Sequence, residues 1–267
     1  MDFGRRIGVR GARGRVIIKS LLFLFFCLSI TPGVYAAHPL ITDDTGTQGK
    51  GKYQLEINSE YSHDRDDGIT LDTAEIRATL SYGMTDNADI IIGLPYQSVR
   101  VKDPESTTRE NGVSDISIEM KWRIYDKDGF SLALKPGLTL PSGDDEKGLG
   151  AGRATYSLLL VASKEMQPFV FHLNAGYIRN DNKADERVDI WHLSIASTVE
   201  VMKDLKLAAN IGAERNSDKS SNTAPAFILG GIIYSFSESL DLDLGIKGGL
   251  NKPETDFSIL AGIARRF

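Results

Sequence analysis

The sequence predicts an all-β protein, an antiparallel transmembrane β-barrel of about twelve strands that follows a cleaved signal peptide. Three observations predict it: an export-signal pattern at the start, alternation of apolar and polar residues through most of the remaining chain, and segments long enough to cross a bilayer. The average composition alone would indicate a soluble acidic domain, because the 267 residues are 41% hydrophobic and 25% charged, with a mean hydropathy of −0.18. The prediction therefore depends on the order of the residues and not on their average.

Residues 1–36 have the three parts of a secretory signal peptide. Basic residues from Arg5 to Lys19 precede Leu21–Ile30, an apolar stretch of about ten residues, and Val34-Tyr35-Ala36 matches a cleavage site. A short buried helix is the alternative interpretation of the apolar stretch. That stretch is too short for a membrane-spanning helix, which needs about 18 or more apolar residues.

Removal of the signal changes the charge of the chain. It takes away six of the 31 basic residues, one of the 36 acidic residues and the single cysteine, Cys27. The remaining 231 residues (267 less 36) carry 25 basic and 35 acidic side chains, a net charge of −10. Such a chain is a poor partner for nucleic acid, because binding to phosphates requires an excess of Lys and Arg.

Alternation with a period of two is the main signal after residue 51. In Ile116–Arg123, for example, every second residue is apolar and those between are polar or charged. Successive side chains of a strand point to opposite faces, so each such segment is a strand with one apolar face. Most segments span 10–13 residues, whereas soluble strands average about 5–6 and a membrane-crossing strand needs about 9–11. The twelve predicted strands are residues 52–62, 72–83, 88–97, 113–125, 129–140, 153–164, 168–179, 188–201, 205–215, 225–236, 239–250 and 256–267.

The connections between these strands alternate in length. Short turns at 84–87, 126–128, 165–167, 202–204 and 237–238 separate longer polar loops at 63–71, 98–112, 141–152, 180–187, 216–224 and 251–255. This asymmetry is typical of periplasmic turns and extracellular loops. The even strand count places both termini on the periplasmic side. Residues 37–51 are therefore expected to form a periplasmic segment before a barrel of residues 52–267, and the pattern leaves open whether this segment plugs the lumen.

Aromatic residues and the last strand support the membrane interpretation. Aromatic rings occur near both strand ends, where girdles at the lipid–water boundary are expected. The last strand is amphipathic, ends in an aromatic residue and resembles the signal that the barrel-insertion machinery reads in outer-membrane barrels, although Arg265 interrupts its apolar face. The predicted girdles are Tyr82, Trp122, Tyr125, Phe130, Phe169 and Phe236 near the turns, and Tyr61, Tyr96, Tyr156, Tyr177, Trp191 and Phe257 near the loops. The predicted insertion signal is Phe257, Ile259, Ala261, Ile263 and Phe267.

Polar residues on the opposite strand faces are the candidates for lining a lumen. The densest charged row, Glu119, Lys121 and Arg123 on one strand, is the best candidate for a constriction. For any single residue, simple solvation or pairing within the lumen is the alternative. The lumen-lining candidates are Glu75, Arg77, Asp115, Glu119, Lys121, Arg123, Lys135, His172, Lys206, Glu214, Asp241, Asp243 and Lys247.

Two further patterns suggest chemistry only weakly. His192 and Ser194 share a strand face and look like the pair in outer-membrane phospholipase A, but Ile195-Ala196 stands where that motif has Asn and Gly. A nucleophilic serine also needs a third group to orient its base, so the pair predicts a chance neighbour and no enzyme. The acidic runs Asp43-Asp44 and Asp144-Asp145-Glu146 are typical of solvated segments more than of Ca²⁺ sites. No cofactor or metal is expected.

The N-terminal string of the mature chain carries a family resemblance. Residues 38–51 read HPLITDDTGTQGKG, and the strings YGMTDN (82–87), IGLPY (92–96) and PGLTLPSG (136–143) follow. Together they resemble the outer-membrane family named after the meta-pathway of phenol degradation. The resemblance implies a barrel that passes small hydrophobic or aromatic compounds, and it carries no catalytic residues.

The combined expectation is a narrow passive pore in the bacterial outer membrane. Its expected partners are outer-membrane lipid, the barrel-insertion machinery and a small solute that the sequence does not identify. The alternative is a structural or interaction barrel with a blocked lumen.

Overall fold

Strands make up nearly all regular secondary structure in residues 38–267, the part of the chain that the computed structural model describes. They are β1 (Tyr53–Asp66), β2 (Ile69–Thr85), β3 (Ala88–Lys102), β4 (Thr107–Val113), β5 (Ile116–Lys127), β6 (Phe130–Leu140), β7 (Thr155–Met166), β8 (Phe169–Arg179), β9 (Asp189–Met202), β10 (Leu205–Glu214), β11 (Ala226–Ser237), β12 (Leu240–Gly249) and β13 (Phe257–Arg266). One turn of 3₁₀-helix, Asp145–Lys147, lies between β6 and β7. None of the helical structure in residues 38–267 could cross a bilayer. The predicted signal peptide, residues 1–36, lies outside the described residues.

The strands form a closed antiparallel barrel. Each strand from β5 to β13 pairs with its sequence neighbour, β13 pairs with β1, β1 with β2, and β2 with β3. β4 and β5 occupy one position together, because β3 pairs with β5 along Ala88–Gly93 and with β4 along Tyr96–Lys102. The barrel therefore has twelve positions, as the sequence predicts. Closure gives every barrel position a neighbouring strand on both sides, as the backbone of a barrel in lipid requires.

The predicted loop at 98–112 is wrong, and it is the largest difference from the sequence-based assignment. β3 continues to Lys102, and Thr107–Val113 turns back along it, so that the loop is a β-hairpin above the barrel. The apolar alternation stops near Gln97 because the hairpin contributes to no buried face, and its residues are largely exposed. All twelve predicted strands match observed strands, with ends that differ by up to five residues.

The two barrel faces differ in polarity as the alternation predicts. On β1 the outward Leu55 and Ile57 are both 39% exposed, whereas the inward Gln54 is 3% exposed. All twelve aromatic residues of the predicted girdles are at least 36% exposed on the outer face. An apolar exterior with aromatic rings at both ends suits a lipid environment.

The C-terminal strand closes the barrel. β13 pairs with β1 from His63–Phe257 to Gln54–Arg266. Beyond the ladder, the Phe267 N–H donates to the Tyr53 carbonyl at 2.9 Å, and the two rings stack with centroids 5.4 Å apart. The predicted signal residues Phe257, Ile259 and Ile263 are 39–46% exposed and Phe267 is 59% exposed, while Ala261 is partly covered. Their recognition by an insertion machinery stays a prediction.

Candidate functional site

The N-terminal segment, residues 38–51, lies inside the barrel in the half nearer the tight turns. It starts beside β11 and β12, passes β10, β9 and β8, and reaches the turn between β2 and β3 before β1 begins. Thr42, Thr45 and Thr47 are at most 5% exposed. The segment has no strand or helix of its own, so its backbone polar groups must pair with lumen side chains.

The amide of Asn210 on β10 holds the first half of the N-terminal segment. Its Oδ1 accepts the N–H groups of Ile41 and Thr42 at 2.8 and 3.1 Å, and its Nδ2 donates to Thr42 Oγ1 at 2.6 Å. Thr42 Oγ1 in turn donates to Ser194 Oγ on β9 at 2.8 Å. Asn210 and Ser194 are 3% and 2% exposed, so water competes poorly for these bonds.

Asp43 forms the electrostatic centre of the site. Its carboxylate accepts from Lys121 Nζ on β5 at 2.7 Å and lies 3.1 Å from Lys135 Nζ on β6. Burial alone would raise the pKa of the Asp43 carboxyl, but the two ammonium groups hold it well below its usual range. The Asn174 amide on β8 bonds the Asp43 backbone, with Oδ1 accepting the N–H at 2.7 Å and Nδ2 donating to the carbonyl at 2.9 Å.

The second half of the N-terminal segment is attached near the tight turns. Thr45 N–H donates to Ser163 Oγ at 3.2 Å, and its hydroxyl lies 2.5 Å from Ser131 Oγ. Gln48 N–H donates to both carboxylate oxygens of Asp89 at 3.2 and 3.0 Å. Nearly every second residue of the N-terminal segment therefore has a hydrogen-bond partner on the barrel, and these bonds hold the segment along its length.

Two glycines make room for the start of the N-terminal segment. A Cβ at Gly231 on β11 would lie 2.6 Å from Pro39 Cγ, and one at Gly245 on β12 would lie 2.8 Å from Pro39 Cβ. Both distances are below carbon–carbon contact, so any side chain there would push Pro39 away. Next to it, the His38 ring bonds the buried carboxylate of Asp243.

Leu40 places an apolar side chain against an apolar wall of the lumen. The wall consists of inward residues from β9, β10, β11 and β13, and Leu40 completes one buried cluster with them. The wall residues are Ala196, Ala208, Phe227, Leu229, Ile233 and Leu260. The opposite wall, from β2 to β6, carries Glu75, Arg77, Asp89, Glu119, Lys121 and Lys135 and is called the charged wall below. Inward charged side chains also occur on β10 and β12, so the apolar wall is one patch of the lumen surface.

A cavity of about 250 Å³ lies between the N-terminal segment and the charged wall. It is lined by Asp43 and Asp44 of the segment and, among others, by Arg77, Glu119 and Lys121 of the wall. A polar cavity of this size holds several water molecules, since one water occupies about 30 Å³ in the liquid.

The structure places the predicted lumen residues on inner strand faces or, for Asp115, in the link before β5, and it pairs many with one another. Glu75 pairs with Arg77 at 2.9 Å, and Glu119 with Lys135 at 3.1 Å. The predicted row splits, because Arg123 lies near the turn beside Asp126 at 3.6 Å, away from the cavity.

The remaining candidates lie apart from Asp43, Lys121 and Lys135, which we call the Asp43 group. Five of them bond to nearby strands or loops: Asp115 accepts the Gly143 and Ala151 N–H groups, His172 bonds Ser163, Glu214 lies 3.5 Å from His192, Asp241 pairs with Arg266, and Lys247 pairs with Glu254. Asp243 bonds His38 at the start of the N-terminal segment, and Lys206 lies on β10 near the turns. A constriction formed by Glu119 and Lys121 stays a prediction.

The His192–Ser194 pair lies inside the lumen together with a third group. Ser194 Oγ is 3.0 Å from His192 Nε2, and Glu214 Oε2 is 3.5 Å from His192 Nδ1. The order of nucleophile, base and carboxylate is present, but Ser194 is 2% exposed and accepts a hydrogen bond from Thr42. While the N-terminal segment is docked, Ser194 therefore bonds Thr42 and its hydroxyl is covered.

Sequence reasoning missed Asn174, Asn210, Ser163 and Ser194 as contacts of the N-terminal segment. Each occupies an inward position of a predicted strand, so its face could be predicted. Its partner could not, because residues 38–51 have no periodicity that sets a register against the strands. The run of three threonines and two aspartates between His38 and Thr47 was the available signal, since such residues bond readily to backbone and side-chain groups.

Solved structures with a similar fold are outer-membrane barrels. The match to the KdgM porin covers 80% of this chain and 99% of the porin chain, at 10% identity and a TM-score of 0.51. The match to the β-domain of the Bordetella autotransporter BrkA covers 82% of this chain and all of that domain, at 14% identity and a TM-score of 0.53. The translocator domain of the autotransporter NalP from Neisseria meningitidis gives 11% identity, coverage of 82% and 89%, and a TM-score of 0.51. At these identities the likeness concerns the fold alone.

The sequence comparison identifies the family. No curated protein matches the chain. A family profile does match residues 36–267, which include the whole barrel and the N-terminal segment inside it. The chain is thus a member of the family described as "Putative MetA-pathway of phenol degradation".

Proposed function

We propose that the protein is a narrow passive pore of the bacterial outer membrane for small solutes, aromatic and other hydrophobic compounds among them. The observation that carries the proposal is the lumen itself, which combines a polar cavity of about 250 Å³ with an apolar wall. A barrel that serves only as a scaffold has no need for a cavity bordered by Arg77, Glu119 and Lys121.

The apolar wall supports the choice of solute. Leu40 occupies it in the structure, so the same wall can accept an apolar group of similar size when the N-terminal segment is displaced. The family description, which refers to phenol degradation, agrees with an aromatic solute. The similar fold of a porin agrees with a pore but does not specify what passes.

In this proposal the N-terminal segment controls how open the pore is. It is held by hydrogen bonds to side chains of β8, β9 and β10 and by the Asp43 group, and none of these contacts is covalent. Thermal release of such a segment is an ordinary local opening, with a free energy below that of global unfolding.

A blocked barrel is the second candidate, and the same contacts favour it. If the N-terminal segment never leaves and keeps the lumen closed to solutes, any function belongs to the loops. The two candidates predict different transport in vitro.

Solute uptake by liposomes tests the proposal. Mature protein is reconstituted into liposomes, and swelling is followed with a panel that contains phenol-sized aromatic alcohols, sugars and charged solutes of similar size. We expect swelling above that of protein-free liposomes for the smallest solutes, and an upper size limit. Swelling equal to that of protein-free liposomes for every solute would support the blocked barrel instead.

A further inference from the structure

The ladder between β5 and β6 is interrupted in the middle of the barrel wall. Pairing runs from Ile116–Leu140 to Glu119–Gly137 and resumes at Trp122–Leu134. Between these points Met120 and Lys121 lie opposite Pro136 and Lys135 without the regular pairing. Proline has no N–H to donate and is normally kept out of central strands. We call this stretch of β5 and β6, from Glu119 to Trp122 and from Leu134 to Gly137, the seam.

An apolar groove of about 310 Å³ lies on the outer face over the seam. Its lining side chains are almost all apolar and belong to β2, β3, β5 and β6. They include Met84, Ile90, Ile118, Met120, Pro136 and Leu138. The groove is shallow and open to the outer face, so an aromatic ring can lie against its apolar side chains without being enclosed by them.

The groove and the polar cavity inside the barrel meet at the seam. Glu119 lines both of them, although its side chain belongs to the inner face. Gly137, opposite Glu119, lines the groove and has no side chain to thicken the wall. The backbone of two unevenly paired strands is therefore the main barrier between the lumen cavity and the outer groove.

The N-terminal segment stabilises the seam from inside. Lys121 and Lys135 lie directly opposite each other on the two strands, and like charges in that position repel. Asp43 lies between them, at 2.7 and 3.1 Å from their nitrogen atoms. Release of the N-terminal segment removes this carboxylate and leaves two facing ammonium groups across the weakest part of the ladder, with Glu119, 3.1 Å from Lys135, as the remaining carboxylate.

We infer that the seam is a lateral exit through which a small uncharged aromatic or apolar solute passes from the lumen into the surrounding membrane. The inference rests on the proposed pore function and adds a route to it. The outer groove is the last binding site on this route, and departure of Asp43 is the event that loosens the seam. Charged and strongly polar solutes follow the axis of the barrel, because the groove offers them no hydrogen-bond partners apart from Glu119.

A reversible cross-link over the seam tests the inference. Ile118 and Leu138 are paired across β5 and β6 and both line the groove, so Ile118→Cys with Leu138→Cys places two thiols within disulfide reach. The matched control joins Leu173→Cys to Ile195→Cys, an outward pair on β8 and β9 far from the groove. Cys27 lies in the predicted signal peptide, so no native thiol interferes.

Two readouts are taken from the full mature barrel. Cells that carry each variant are given N-phenylnaphthylamine, an uncharged aromatic probe whose fluorescence rises when it enters the membrane, and ion conductance is measured in planar bilayers. We expect the oxidised seam pair to lower probe uptake to the rate of cells without the protein, and reduction to restore it. The control pair should leave uptake unchanged, and neither pair should change ion conductance. Asp43→Asn should raise probe uptake in the reduced seam variant but not in the oxidised one.

The outcomes separate the lateral exit from the pore. Equal probe uptake by the oxidised and reduced seam variants overturns the lateral exit, leaves the pore intact and assigns the groove to acyl chains of the surrounding lipid. Ion conductance without any probe uptake in the reduced protein likewise overturns the lateral exit and leaves the pore intact. Absence of both conductance and uptake in the reduced protein overturns the pore together with the exit.

Discussion

Asp43→Asn is the substitution that most directly tests how the N-terminal segment is held. It keeps the size of the side chain and removes the negative charge between Lys121 and Lys135. The side chains of Asp43, Lys121 and Lys135 are 17%, 10% and 16% exposed, so the three charges interact with little screening by solvent. Breaking such a buried pair costs about 3–5 kcal/mol.

The lower end of that range applies here. Lys135 keeps Glu119 at 3.1 Å and Lys121 keeps Asp44 at 3.9 Å, so neither ammonium group is left without a carboxylate. A loss of about 3 kcal/mol corresponds to roughly a 100-fold shift toward the released state, at about 1.4 kcal/mol for each factor of ten. The matched control is Asp44→Asn, which makes the same change in net charge at a carboxylate farther from both lysines.

Amide hydrogen exchange measures the release without a label. The N–H groups of Ile41, Thr42, Thr45 and Gln48 are bonded only while the N-terminal segment is docked. We expect Asp43→Asn to lower their protection about 100-fold while strand amides stay unchanged, because local opening sets exchange in such a segment. Equal protection in Asp43→Asn and Asp44→Asn would refute the role assigned to the Asp43 group.

Three further predictions concern pH, one amide and the C-terminus. The pKa of Asp43 is lowered in the folded protein. Its contribution to holding the N-terminal segment is therefore complete above the unfolded pKa of about 3.9 and is lost as the pH falls toward the folded value. Amide protection of the segment should persist from pH 7 to about pH 4 and decrease at lower pH. Asn210→Ala leaves the Ile41 and Thr42 N–H groups without their acceptor, at about 1–3 kcal/mol for a buried unsatisfied group. It should lower the hydrogen-exchange protection of both amides by about 5- to 140-fold. Phe267→Ala removes the ring stacked on β1 and should reduce the fraction of folded barrel in the outer membrane, measured by heat-modifiable mobility on gels; an unchanged fraction would contradict the predicted insertion signal.

The barrel could be predicted from sequence because its physical constraints repeat along the chain. An outer face in contact with lipid and an inner face in contact with water impose a period of two on every strand, as in Ile116–Arg123. The β3–β4 hairpin was missed because it lies above the barrel, where both faces meet solvent and no alternation is needed. Pro136 was the available signal for the seam, because proline is normally kept out of central strands, but the alternation of apolar and polar residues continues through it.

The position of the N-terminal segment could be predicted only in part. The sequence identified Lys121 and Lys135 as inward-facing and Asp43-Asp44 as an acidic run, but it did not connect them. The connection is a long-range contact between an aperiodic segment and a closed barrel, and it depends on how the segment crosses the lumen. The space left by Gly231 and Gly245 for Pro39 likewise becomes visible only in three dimensions.

Ion conductance of the mature protein in planar bilayers tests the central claim most directly. The claim is that the lumen is a pore and that the N-terminal segment limits its opening. We expect discrete conducting events for the native mature chain and a higher fraction of time in the open state for Asp43→Asn, with Asp44→Asn close to the native chain. A membrane that stays silent with correctly folded native protein and with Asp43→Asn would contradict the claim and leave a barrel with a blocked lumen.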